Sequence, residues 1–178
     1  VDNFMIDIET LGNGPTSVIL SIGAVAFDPD SDAIGEGFHQ LINIDSCLRA
    51  GLTIDGSTIQ WWMTQPDAAR DLFNQLDEHE VGLHIALINF RRWMTDISKA
   101  PIFWCNHPSF DAAILDNAYR RCDMKAPWQY YNVKDYSTVR GSVPKELFEK
   151  IRVRPSVAHD AVQDALAQAR SLQNIYAL

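Results

Sequence analysis

Apolar and polar positions change rhythm along this chain, and the changes divide it into elements. Residues 4–8, Phe-Met-Ile-Asp-Ile, form a short apolar run with one acid inside it. Residues 18–27 are a longer run rich in Val, Ile and Ala, and residues 35–44 alternate apolar with polar side chains, the period of a half-buried strand. Turn material separates the runs, first Gly12-Asn13-Gly14-Pro15 and then Asp28-Pro29-Asp30-Ser31-Asp32. Three such runs in succession predict an antiparallel meander. Beyond them the period becomes helical. Ser57 stands where an N-cap is wanted for a helix over residues 58–63, and Pro66 opens a second that carries Ala68, Ala69, Leu72 and Phe73. Leu83, Leu87, Phe90, Met94 and Ile97 recur at steps of three and four, the stripe of an amphipathic helix.

Residues 101–105 read as a buried strand, residues 111–121 as a helix, and residues 158–172 as the last helix, apolar at Ala161, Val162, Ala165, Leu166 and Ala169. Short helices are expected across residues 126–154. A meander, then helices, one more strand and more helices predict an α/β fold with a mixed central sheet, its first three strands antiparallel and flanked by helices, because later strands arrive by helical crossovers. No repeat and no Pro/Gly/Ser-rich linker interrupts the pattern, so a single domain over residues 1–178 is expected.

Composition narrows the class. With 47% hydrophobic and 21% charged residues, the chain is ordinary globular material. No run approaches the roughly 20 apolar residues of a membrane span, and residues 18–27 are interrupted by Ser21 and Gly23. Acids stand near the start, where an export signal is basic and apolar. Cys47, Cys105 and Cys122 are an odd and widely spaced set, which argues for free thiols in a reducing compartment and excludes a disulfide-stapled secreted scaffold. A cytoplasmic protein without a membrane partner is the expectation. The net charge of −8, from 15 basic and 23 acidic residues, argues against nucleic acid as a partner. That argument reverses if some acids gather around divalent cations, whose charge then dominates locally.

Some acids are placed to do so. Asp7 and Glu9 stand two apart in the first strand and share a face, while Ile6 and Ile8 point to the other. A lone Asp-x-Glu is ordinary solvated surface, but acids inside so apolar a strand are costly unless paired or bound to a cation. Asp111 opens a helix directly after a buried strand, where the helix dipole alone would account for it. His159 and Asp164 lie five residues apart on the last helix, about 140° around its axis. They border one cleft only if His159 sits at or before the first turn. Other features carry less: Gly12-Asn13-Gly14 is followed by Pro15 and a strand rather than a phosphate-binding helix, and Cys105-Asn106-His107 has no second pair for zinc. Lys145, Lys150, Arg152 and Arg154 form a basic stretch that is either a solvated helix face or a place to meet phosphate.

Taken together, Asp7-Ile8-Glu9-Thr10-Leu11-Gly12, Asn106-His107-Pro108-Ser109-Phe110-Asp111 and His159-Asp160-Ala161-Val162-Gln163-Asp164 resemble the three motifs of the DEDDh branch of the DEDD 3′–5′ exonucleases. The stretch from Gly51 to Trp62 is similar to a ribonuclease T-like group containing phage exonucleases and bacterial exoribonucleases. The resemblance implies a ribonuclease H-like fold and two divalent cations, Mg²⁺ or Mn²⁺, suited to all-oxygen carboxylate ligands. It implies that Asp7, Glu9 and Asp164 hold the ion beside the attacking water, Asp7 and Asp111 the ion beside the leaving 3′-oxygen, and that His159 is the general base. The implied substrate is single-stranded or 3′-overhanging DNA or RNA, in a bacterial cell or phage-infected host, with nucleoside 5′-monophosphates as products. Trp61 and Trp62 are candidates for a base-stacking platform, Phe110 and Asn106 line the same motif, and Thr10 and Leu11 are candidates for the sugar pocket. Relatives with an exposed substrate path often form homodimers, for which Trp93 is an apolar surface candidate here. The alternative is a nucleotide- or nucleic-acid-binding module that keeps the fold with weak catalysis.

Overall fold

The computed structural model describes residues 1–178 in backbone and all side chains except those of Asp77 and Glu78. A five-stranded sheet runs in the order β3-β2-β1-β4-β5. Strands β1 (Asn3–Thr10), β2 (Ile19–Phe27) and β3 (Ile34–Leu41) form the antiparallel meander that the alternation predicts. Strand β4 (Ile102–Cys105) adds parallel to β1, and β5 (Val133–Asp135) adds parallel to β4. β1 is therefore the central strand.

Its alternation feeds two cores. Phe4, Ile6 and Ile8 face one side, where they meet α2 (Gly56–Met63), α3 (Asp67–His79), α4 (Leu83–Ile97) and α5 (Asp111–Arg121). Met5 faces the other, against α6 (Tyr136–Gly141), α7 (Lys145–Ile151) and α8 (Ala161–Tyr176). Every residue of β2 is buried, as befits a strand covered on both faces. The stripe of α4 behaves as its period requires, with Leu83, Leu87, Phe90 and Met94 buried. No helix among the described residues is long and apolar enough to cross a membrane.

Element boundaries moved where side chains bond to backbone. The alternating run stops at Leu41, because Asn43 accepts the Ser46 N–H and starts the helix α1 (Ile44–Arg49) inside what reads as strand. Asp55, not Ser57, occupies the N-cap of α2, and its carboxylate is taken by the Asn13 N–H at 3.0 Å. The last helix begins at Ala161 rather than 158, since Asp160 accepts the N–H groups of Val162 and Gln163. β5 lies within a stretch expected to be helical; three residues are too few to show a period. Trp93, the apolar surface candidate, is half-buried among Phe4, Phe38 and Phe90 and packs against the core.

Candidate active site

β4 pairs with β1 only from Asn3 to Met5, so past Met5 the two parallel strands part at their carboxyl ends. A crevice at such a point is the usual ligand site of an open α/β sheet. Asp7 and Glu9 lie on the stretch of β1 beyond that parting, on the face that carries α8. Opposite Asp7 in the β1–β2 register stands Gly23. A Cβ there would come within 2.1 Å of the Ala161 carbonyl carbon and 2.2 Å of the Val162 nitrogen. Glycine thus lets the first turn of α8 lie directly on the sheet beside Asp7.

That approach delivers the third motif. His159 precedes the helix in a left-handed conformation, φ 63°, and its N–H donates to the Asp164 carboxylate at 2.9 Å. The backbone excursion lets ring and carboxylate converge although they stand five residues apart. One ligand atom each from Glu9, His159 and Asp164 all lie within 4.8 Å of one another. Asp7 is held differently, accepting the Gln168 side-chain amide at 2.9 Å. Asp111 is buried at the start of α5, its N–H donating to the His107 carbonyl at 3.2 Å, with the backbone of His107 and Ile8 and the Cys105 thiol near enough to favour its anion. It stands close enough to repel both Asp7 and Glu9, but it does not line the open cleft.

The cleft has a volume of about 590 Å³. Asp7, Glu9, Asp164 and His159 line it together with Thr10, Trp61, Trp62, Asn106 and Phe110. Leu11 is the exception among the candidates. It is buried in the core, its N–H bonded to Val18 and its carbonyl to the Asp55 N–H, so it offers nothing to a sugar. Thr10 lines the wall while its hydroxyl donates to the Gly12 carbonyl. The two tryptophans divide: Trp62 is buried and donates its indole N–H to the Thr10 carbonyl at 2.9 Å, whereas Trp61 is 42% exposed. Trp61 meets the His159 ring edge-on, centroids 4.9 Å apart. Gln168, Asn13, Ser57 and Thr58 also reach the cleft and are absent from the motif reading. Gln168 had a signal, since it lies one turn beyond Asp164 on the same helix face.

Electrostatics fit a cation site. Burial, then repulsion from Asp111, Glu9 and Asp164, raises the Asp7 carboxyl well above its ordinary range. Burial and the neighbouring Asp164, Asp111 and Asp160 push Glu9 up to about 8. Burial pushes Asp111 up to about 7, and it raises Asp164 as well. Acids so crowded are strained as anions until positive charge arrives. An oxygen-rich donor set with one imidazole and no thiolate suits a hard divalent ion.

The sequence profile of the 3′-5′ exoribonuclease Rv2179c-like domain matches residues 2–176. The exodeoxyribonuclease of Enterobacteria phage T4 is 28% identical over 128 residues, covering 66% of this chain and 56% of that protein. The chain therefore spans little more than half the length of that relative. Among solved structures, the nuclease domain of 3′hExo, a DEDDh family member bound to rAMP, superposes with a TM-score of 0.62 at 17% identity, covering 96% of this chain and 89% of that one. The Escherichia coli ExoI–ssDNA complex gives a TM-score of 0.61 at 16% identity over 94% of this chain and 38% of that one. At such identities the likeness shows the fold, the ribonuclease H-like arrangement of the exonucleases. The profile match spans nearly the whole sequence, and the chain belongs to the Rv2179c-like 3′-5′ exoribonuclease domain family.

Proposed function

We propose that residues 1–178 act as one metal-dependent 3′–5′ exonuclease domain that releases nucleoside 5′-monophosphates from single-stranded or 3′-overhanging nucleic acid. The observation that carries this reading is convergence. Asp7, Glu9, Asp164 and His159, from two segments far apart in sequence, line one cleft beside the half-exposed Trp61, with Asp111 from a third segment buried close behind them. Asp7, Glu9, Asp111 and Asp164 would hold two divalent cations, Mg²⁺ or Mn²⁺. Bound there, the ions supply charge neutralisation to the phosphate oxygens and to the leaving oxygen. His159 takes the proton of the attacking water, its ring kept in place by Trp61. Water adds to phosphorus, the bond to the 3′-oxygen of the preceding nucleotide breaks, and that oxygen leaves with a proton. Gln168 fixes one Asp7 oxygen through its amide and orients the carboxylate. Trp61 offers a stacking face for the terminal base, which any sequence can use.

The family description names an exoribonuclease and the phage relative an exodeoxyribonuclease, so both sugars belong in the test. A cytoplasmic setting agrees with the free thiols of Cys47, Cys105 and Cys122. The experiment uses DNA and RNA oligonucleotides of one sequence, labelled at the 5′ end, with Mg²⁺, Mn²⁺ or chelator. Stepwise shortening from the 3′ end is expected with metal, lost on Asp7→Asn and slowed about 10²–10⁴-fold by His159→Ala. Binding of oligonucleotide without shortening would instead establish a binding module.

A further inference from the structure

The catalytic cleft does not end at the acids. A cavity of about 220 Å³ shares Asn106, Asp164 and Gln168 with it and extends to Arg140 and Arg152. Those two arginines, with Phe148, also line a cavity of about 630 Å³ between α6 and α7, where Lys145 stands. The smaller space shares lining residues with each of the other two, so Asp164 and the arginines border neighbouring cavities; the outer one is lined by Arg140, Lys145 and Arg152 with one acid, Glu149.

The arginines are placed as anion donors. Arg152 bonds Glu149 through Nη2 at 2.8 Å, yet its Nε is buried with no hydrogen-bond partner among the described residues. A buried donor without a partner is costly, and a phosphate oxygen would relieve it. Arg140 lies over the Tyr136 ring, 5.9 Å from its centroid, and makes no ion pair among the described residues. The cavity on the other side of Trp62 has a different character. Ile59, Met63 and Phe73 line it with Asp67 and Asp71, and Arg70 is its only cation, already paired with Asp67. A polyanion leaving the cleft finds three cations against the single acid Glu149 on one side, and two acids against the single cation Arg70 on the other.

We propose that Arg140 and Arg152 grip the phosphodiester backbone of the strand on the 5′ side of its terminal nucleotide. This assignment rests on the exonuclease reading above and adds the route by which the rest of the strand leaves the cleft. The terminal nucleotide is held by the carboxylate cluster and Trp61, and the upstream phosphates follow the arginines. Arginine contacts to phosphate carry no sequence information, so this grip favours length over sequence. The basic stretch before the third motif is then a phosphate track in part, through Arg152, rather than only a solvated face.

The test compares two substrates on the same protein, Arg140→Gln and Arg152→Gln variants included. One is a single-stranded dodecanucleotide; the other is the p-nitrophenyl ester of thymidine 5′-monophosphate, which has no upstream phosphate. Each variant is expected to raise KM for the dodecanucleotide roughly tenfold with kcat little changed, and to hydrolyse the ester as the parent does. The dependence of log(kcat/KM) on log salt concentration should flatten by about 0.7 for each phosphate contact removed. A melting curve for each variant separates misfolding from lost contact, and Arg140, which has no ion pair to lose, serves if Arg152→Gln unfolds. An unchanged KM and salt slope in both folded variants would overturn the proposal. So would a parallel loss on oligonucleotide and ester, which would place the arginines at the reacting centre. If the parent cleaves neither substrate, the exonuclease reading itself fails and the track falls with it.

Discussion

Trp62 is 2% exposed, packs edge-on against Phe73 and bonds the backbone of β1, whereas Trp61 meets solvent and the His159 ring. Trp62→Ala is therefore expected to cost about 3–5 kcal/mol of stability, read from chemical denaturation. Trp61→Ala should leave the melting temperature nearly unchanged and weaken oligonucleotide binding by about 1–3 kcal/mol. Equal effects of both variants on stability would remove Trp61 from the platform. His159 allows a finer test, because its φ of 63° strains any residue with a Cβ. His159→Gly and His159→Ala both delete the ring, but the glycine variant should be more stable by about 1 kcal/mol, visible as a higher melting temperature. The sequence announces that Trp61 and Trp62 differ, since neighbours on a helix face about 100° apart. It does not say which one is buried; that depends on Thr10, distant in sequence, presenting a carbonyl to one indole. Leu11 fails for a similar reason, because its neighbours Val18 and Asp55 claim its backbone.

At the scale of elements, the contact between α8 and the meander decides whether the site exists. Gly23→Ala would drive a methyl into the backbone of Ala161 and Val162, which cannot yield as a side chain would. The expected result is a loss of about 1–3 kcal/mol or more, and a fall in exonuclease rate beyond the loss of folded protein, since His159 and Asp164 move with the helix. Wild-type activity per folded molecule would show that α8 tolerates displacement. This close approach was invisible in the run of residues 18–27, where Gly23 reads as a mere interruption of an apolar strand. The meander and the stripe of α4 were legible because each is long or periodic enough to declare its burial, and the fourth strand because Ile102–Cys105 is an unbroken apolar run behind Pro101. α1 and β5 were not. Asn43 overrides an alternating pattern with a local cap, and β5 is specified by its pairing to β4 rather than by its own three residues.

For the molecule as a whole, the acid cluster sets how stability responds to pH and metal. Glu9 titrates at about 8 and Asp111 at about 7 in the fold, far above free carboxyls, so the folded chain keeps protons that the unfolded chain has released. Stability is then complete below the ordinary carboxylate range and falls as pH rises through 7 to 8. In chelator the melting temperature is expected to drop between about pH 5 and pH 9. Saturating Mg²⁺ or Mn²⁺ should raise it and flatten the slope, with a shift that grows with the logarithm of ion concentration. Asp7→Asn should melt higher than the parent in chelator near neutral pH. A melting temperature that climbs with pH in chelator would contradict the crowding of these acids. The net charge of −8 pointed away from nucleic acid; spacing put only Asp7 and Glu9 on one face, and it was the resemblance of the three motifs that implied a common site with Asp111 and Asp164.

The bonds that seat α2 make one side of the cleft stiffer than the other. Trp62 is fastened to Thr10, the Asp55 N–H to the Leu11 carbonyl, and the Asp55 carboxylate to Asn13, so the stacking wall and the strand bearing Asp7 and Glu9 form one body. The segment of residues 154–160 that brings His159 to the cleft has fewer backbone ties. It is bonded to α8 through His159 to Asp164 and Ser156 to Gln163, to α7 through the Arg154–Glu149 pair, and it meets the other wall through the His159 ring on Trp61 and Trp62. The two sides of the cleft therefore differ in how many backbone bonds hold them. Amide exchange should accordingly be slow along residues 8–11 and fast across 154–160, and substrate should slow it chiefly in the second. On the proposed reading a terminal base would dock without rearranging its platform, and adjustment to different nucleotides would fall to the segment that carries His159.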